Sequence, residues 1–141
     1  MKFLLKNRYI ILLLTLHTIV INAQFAPPAG VQGTTAIHKD SSIFVNWATS
    51  CELELGPEDI SNPQSPTVST GDPLMVIGDS NGIVSLGDGG YAILSFENKI
   101  VNGPGWDFAV FENAFSNNFL ELAFVEVSSN GVDYFRFPTT S

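Results

Sequence analysis

Between Gly103 and Phe115 the chain reads GPGWDFAVFENAF, which sets two carboxylates, Asp107 and Glu112, on either side of four consecutive apolar residues. A third acid, Glu121, interrupts the next apolar run, FLELAFVEV. Three kinds of chemistry fit these groups. They can be ordinary charges at strand ends, capping turns or facing water, since turns and edges are where strands tolerate acids. They can hold Ca²⁺, with Asp107, Glu112, Asn113 and Glu121 as candidate ligands, joined by Asn117 and by loop carbonyls; a hard cation takes six to eight oxygens. The linear spacing of an EF-hand loop is absent, so such a site has to be assembled from separate loops. The third chemistry is a glycosidase-like pair, which needs two carboxyl groups about 5–10 Å apart across a cleft.

Other reactive groups are sparse. Cys51 is the only cysteine in these residues and finds no partner among them, so it is either a small buried apolar residue or half of a bridge whose partner lies on another chain or in sequence beyond these residues. Beyond residue 23 the one histidine is His38, in AIHKDSS, and without co-ligands it reads as a surface or capping residue. No G-x-S-x-G elbow offers a serine nucleophile. Aromatic residues point to binding instead: Trp47, Tyr91, Trp106 and Tyr134 could form a stacking platform for sugar rings, or fill the core of a small β domain.

The elements that must position these groups are strands and turns. SSIFVNWA alternates Ile43, Val45 and Trp47 on one face. A connection with four prolines, at 57, 63, 66 and 73, follows, with room for a short strand near Cys51 to Leu55. LMVIG is a short apolar run. The pair IVSL and YAILSF around GDGG predicts a tight hairpin, because Asp-Gly-Gly supplies the positive-φ residues it needs. The stretch around Phe108 to Phe111 is apolar on both faces and predicts a central strand. Asn130-Gly131 predicts a two-residue type I′ turn that pairs Val127 with Tyr134 and Glu126 with Phe135. Short strands with Gly and Asn turns and no helical period point to an all-β fold, an antiparallel β-sandwich or jelly roll in one domain over residues 24–141.

The first residues address the chain. Lys2, Lys6 and Arg8 precede an apolar stretch from Tyr9 to Ile21, which ends in Asn22-Ala23. This is a secretory signal peptide with cleavage expected after Ala23. At about 13 residues the stretch is short of the ~20 that span a bilayer. Removing residues 1–23 takes away three of the six basic residues and none of the fourteen acids, so the mature net charge is −11. Nucleic acids and anionic membranes need clustered Lys or Arg, and both are poor partners for such a chain.

The block VSLGDGGYAILSFENKIVNGPGWDFAVFENAF, continued by FLELAFVEVSSNGVDYFRFP, resembles an uncharacterised family of secreted bacterial cell-surface proteins, of the type IX-secreted kind that often carry a C-terminal sorting domain. The hairpin VEVSSNGVDYF is also similar to the strand-turn-strand of discoidin-like, galactose-binding-like sandwiches. These likenesses imply export and a galactose-binding-like sandwich, and they imply no catalytic residues. Relatives of the surface family continue past the Arg-Phe-Pro stretch, and the last hairpin lacks a covering strand, so the domain is expected to be incomplete at Ser141. The expected function is a secreted, non-catalytic module that binds carbohydrate or another extracellular small ligand, with Ca²⁺ assistance. The alternatives are a structural or adhesive module for a surface protein and, third, a glycosidase-like enzyme.

Overall fold

The structure is a computed structural model that describes residues 25–116 and 119–138. The cleavage point after Ala23 and the candidate ligand Asn117 lie outside those residues. Its regular elements are β1 (Ser50–Glu54), a 3-10 turn over Pro73–Val76, β2 (Tyr91–Ser95), β3 (Glu126–Val127) and β4 (Phe135–Arg136). β1 pairs with β2 and β3 with β4, both antiparallel, as two separate two-stranded ladders. Among the described residues the chain is mostly non-helical with small antiparallel strand pairs, consistent with a small β-rich fold. Among the described residues the ladders do not close into a sandwich.

β1 has the alternation of a half-buried strand. Cys51 and Leu53 are half-buried while Ser50, Glu52 and Glu54 are exposed, and across the ladder Cys51 faces Leu94 and Leu53 faces Ala92. Thr49 N extends the ladder by donating to Ser95 O at 2.8 Å. Ala48, just before it, is the only buried hydrophobic residue among those described, at 6% exposure.

At the far end of β1 backbone meets backbone at close range. Gly56 N donates to Leu86 O (2.8 Å), Gly56 O accepts from Val68 N (3.1 Å), and Asp88 N donates to Pro57 O (2.8 Å). A Cβ on Gly56 would stand 2.9 Å from Gly90 N and nearer still to Asp88 O, so glycine is what permits this approach. The proline-rich connection is organised around the same point. Pro57 and Thr67 form an antiparallel bridge, and prolines, which cannot donate, serve as acceptors: Pro66 O takes Glu58 N at 2.9 Å. Asp59 closes the tip by accepting from the amide and the hydroxyl of Ser61.

Several sequence expectations are corrected by this arrangement. IVSL does not pair with YAILSF across GDGG; Gly87 and Gly89 turn the chain at positive φ, but Leu86 O is taken by Gly56 and Ser85 N donates to Thr70 O, so β2 is left to β1. The apolar run LMVIG falls in a 3-10 turn that Pro73 starts and whose first amide, Leu74 N, is capped by Asp72 Oδ1 at 2.8 Å. SSIFVNWA joins no ladder; His38 O and Ser41 O accept from Ser41 N and Phe44 N and coil its start into turns.

Residues 106–115, expected as a buried central strand, run outside any ladder with their side chains exposed. The final hairpin exists, but its register differs by one: Val127 faces Phe135 and Glu126 faces Arg136. The reason is side-chain competition. Asn130 Oδ1 accepts from Val132 N and Asp133 N, both at 2.9 Å, and Ser128 Oγ accepts from Gly131 N, so a loop built on Asn and Ser displaces the two-residue backbone turn. A shift of one residue moves each side chain to the opposite face.

Candidate functional site: a cleft between the lead segment and the Phe108–Leu120 loop

The proline- and alanine-rich lead, residues 26–39, lies against residues 109–114 and Leu120 and leaves a cleft of about 470 Å³ between them. Small residues make the space: Ala29 and Ala36 on one wall, Ala109 and Ala114 on the other. The lead bends through a turn in which Val31 N donates to Pro28 O at 3.2 Å. It then presents Ile37, His38 and Lys39, all cleft-lining. Asp40 ties this rim down, with Lys39 Nζ donating to Asp40 Oδ1 at 3.0 Å and Asp40 N donating to His38 Nδ1 at 3.3 Å.

The opposite wall is held by Phe111 and Glu112. The Phe111 ring meets Phe44 edge-on at 5.2 Å (85°) and Trp47 at 6.0 Å, and Phe44 and Trp47 are themselves 6.0 Å apart, so three rings form one aromatic cluster. Glu112 Oε1 accepts from Glu121 N at 3.1 Å and closes the loop between them. Inside that loop Phe119 N donates to Ser116 O at 3.1 Å. The cleft therefore has an apolar body and a rim carrying both signs of charge, Lys39 and Glu112. It can hold a small molecule with an apolar part and a polar head, a composition common to small-molecule sites.

The residues singled out from the sequence are distributed as follows. Glu112 lines the cleft, and its carboxylate reaches the backbone of Glu121; Asn113 follows it on the exposed loop. Asp107 is apart from them and caps its own turn by accepting from Gly103 N at 2.8 Å. Among the described residues no three His, Cys, Asp or Glu side chains come together as a metal-holding group. Trp47 joins the Phe44–Phe111 cluster next to the cleft. Tyr91, Trp106 and Tyr134 are exposed at 53%, 70% and 40%, and none of them stacks on Trp47 among the described residues. Cys51 is a free thiol in β1; partial burial, and then the neighbouring Glu52 charge, raise its pKa, which is the opposite of what a nucleophile needs.

His38, Lys39 and Ala109 were not legible as site residues. The one available signal was the abundance of alanine in the lead and in AVFENA, where larger apolar residues would have filled the space. No helix among the described residues is long and apolar enough to cross a membrane. No family model, curated protein or solved structure matches the chain.

Proposed function

We propose that the mature chain is an exported, non-catalytic module that binds a small extracellular ligand in the cleft between residues 26–39 and residues 109–114 with Leu120. The observation that supports this reading is the cleft itself, about 470 Å³ and within the range of small-molecule sites, with apolar walls and the charges of Lys39 and Glu112 at its rim. Export is inferred from the basic-apolar-small order of residues 1–23. A sugar platform draws less support than an apolar ligand, because Trp47 is engaged by two phenylalanines and the other three aromatics stand apart from it. Calcium enters as an auxiliary at Glu112, whose Oε1 is used by Glu121 N.

The experiment is a fluorescence titration with anilinonaphthalene sulfonate, an apolar ring system with an anionic head. One saturable site is expected in the wild type, weakened in Ala109→Trp, where the indole fills the cleft, and kept in Phe124→Ser.

One observation favours a second reading, a protein-interaction module. Large apolar side chains from Trp106 to Phe137 lie open, among them Phe115 at 80% and Phe135 at 71% exposure, and contiguous exposed apolar surface marks interaction sites. Loss of dye binding in Phe124→Ser with retention in Ala109→Trp would favour that face over the cleft.

A further inference from the structure

We propose that Asn130 is a self-modifying site, at which the backbone nitrogen of Gly131 displaces the side-chain amide in preference to the two other Asn-Gly pairs, Asn81-Gly82 and Asn102-Gly103. The reaction forms a bond from Gly131 N to Asn130 Cγ and breaks the bond from Cγ to Nδ2. The proton lost by Gly131 N is balanced by the one that converts the departing amine to ammonia. One water then opens the cyclic imide at either carbonyl, leaving aspartate or isoaspartate at position 130.

The loop between β3 and β4 holds the groups that this reaction uses. Attack places negative charge on Asn130 Oδ1, and that oxygen already accepts from Val132 N and Asp133 N at 2.9 Å and from the Ser128 hydroxyl at 3.1 Å. Donors fixed in advance around a developing oxyanion are the largest common source of rate enhancement in acyl chemistry. Ser128 Oγ also accepts from Gly131 N at 2.9 Å, so it joins the nucleophile to the oxygen that gains charge. The leaving group is held as well, with Asn130 Nδ2 donating to Asp133 Oδ2 at 2.8 Å. An anion beside a departing amine favours its protonated form, which is the form that leaves. Gly131, at φ +70°, has no side chain to shield its nitrogen.

The other two pairs lack this arrangement. Asn81 shares the leaving-group contact, with Nδ2 donating to Asp79 Oδ2 at 2.9 Å, but no donor meets its Oδ1 among the described residues, and Gly82 lies so close to the Met75 backbone that even a Cβ would collide, which bars the swing that ring closure requires. At Asn102 no donor meets the side-chain oxygen among the described residues, and Gly103 N donates to Asp107 Oδ1 at 2.8 Å with no group that links it to that oxygen. The consequence of reaction at 130 is an added carboxylate on an acidic chain and, in the isoaspartate product, an extra backbone carbon in the loop that sets the β3–β4 register.

The test is incubation of the full chain in mildly alkaline buffer, with peptide mapping by mass spectrometry that separates aspartate from isoaspartate. The amide-to-acid mass gain is expected at Asn130 first in the folded protein, with the preference over Asn81 and Asn102 erased in urea. Ser128→Ala is expected to slow the reaction at Asn130 roughly fivefold, the factor given by loss of one hydrogen bond of about 1 kcal/mol. Because that variant loosens the loop as well, Asp133→Asn provides a second arm and is also expected to slow it. Equal accumulation at all three sites in the folded protein, or wild-type rates in both variants, overturns the proposal.

Discussion

Replacing Gly56 by alanine probes the point where β1, the proline-rich connection and the 86–90 turn meet. The substitution brings no penalty from backbone conformation, since Gly56 is not among the positive-φ glycines. Its cost is steric: the new methyl would lie 2.8 Å from Asp88 C and 2.9 Å from Gly90 N, both backbone atoms that cannot rotate away. Overpacking of this kind costs about 1–3 kcal/mol. The shift also strains the bonds from Gly56 N to Leu86 O and from Val68 N to Gly56 O, each worth about 1 kcal/mol. A loss of about 2–4 kcal/mol follows, which for a domain of this size lowers Tm by roughly 10 °C. Gly103→Ala is the control, because a Cβ there meets only the Asp107 carboxylate oxygen, at 3.4 Å, and its effect is expected within about 0.5 kcal/mol of zero. Urea melts of both variants give the comparison. Equal midpoints for Gly56→Ala and Gly103→Ala would refute the backbone-on-backbone packing described here.

Three further outcomes are expected. Asp59 accepts from the hydroxyl and amide of Ser61, and Asp79 from the amide and side chain of Asn81, which holds both carboxyls below their ordinary value of 3.8. Groups with depressed folded pKa contribute stability that is present above the unfolded value and lost as pH falls below about 3.8, so Asp59→Asn and Asp79→Asn should flatten the acid limb of the stability profile measured by urea melts. The Cys51 thiol, raised by burial and then by Glu52, should react with a neutral disulfide reagent more slowly in the folded chain than in urea at the same pH; equal rates would contradict the burial argument. Calcium held at Glu112 would add about 2.7 kcal/mol at hundredfold saturation. Thermal melts with millimolar calcium and with chelator should therefore differ in the wild type and coincide in Glu112→Gln, and coincident wild-type curves would remove the metal.

What the sequence disclosed and what it hid follow from the range of the interactions involved. The room for a short strand near Cys51 to Leu55 is filled by β1, and the YAILSF run carries β2, because a half-buried strand writes its period locally. Their pairing was not legible: β1 and β2 are joined by contacts that span the whole proline-rich connection, and the glycine approach at residue 56 decides the partner. In the last hairpin the element was visible and the register was not, since four hydrogen bonds from Ser128 and Asn130 side chains outweigh the turn preference of Asn-Gly. Asp107 and Glu112 each take a backbone amide, that of Gly103 and that of Glu121, from a segment that belongs to no ladder. The cleft was hidden for a different reason. It is made by what alanines leave empty, and emptiness between distant segments has no local pattern.

The central claim is that residues 26–39, 109–114 and Leu120 bind one small apolar ligand. Its most direct test is a two-dimensional NMR titration of the isotope-labelled 24–141 chain with anilinonaphthalene sulfonate, read residue by residue. Saturable shifts are expected at Ala36, His38, Ala109 and Glu112, residues that line the cleft. Shifts concentrated instead at Phe124 and Phe135, on the open face, with the cleft amides unmoved, would contradict it.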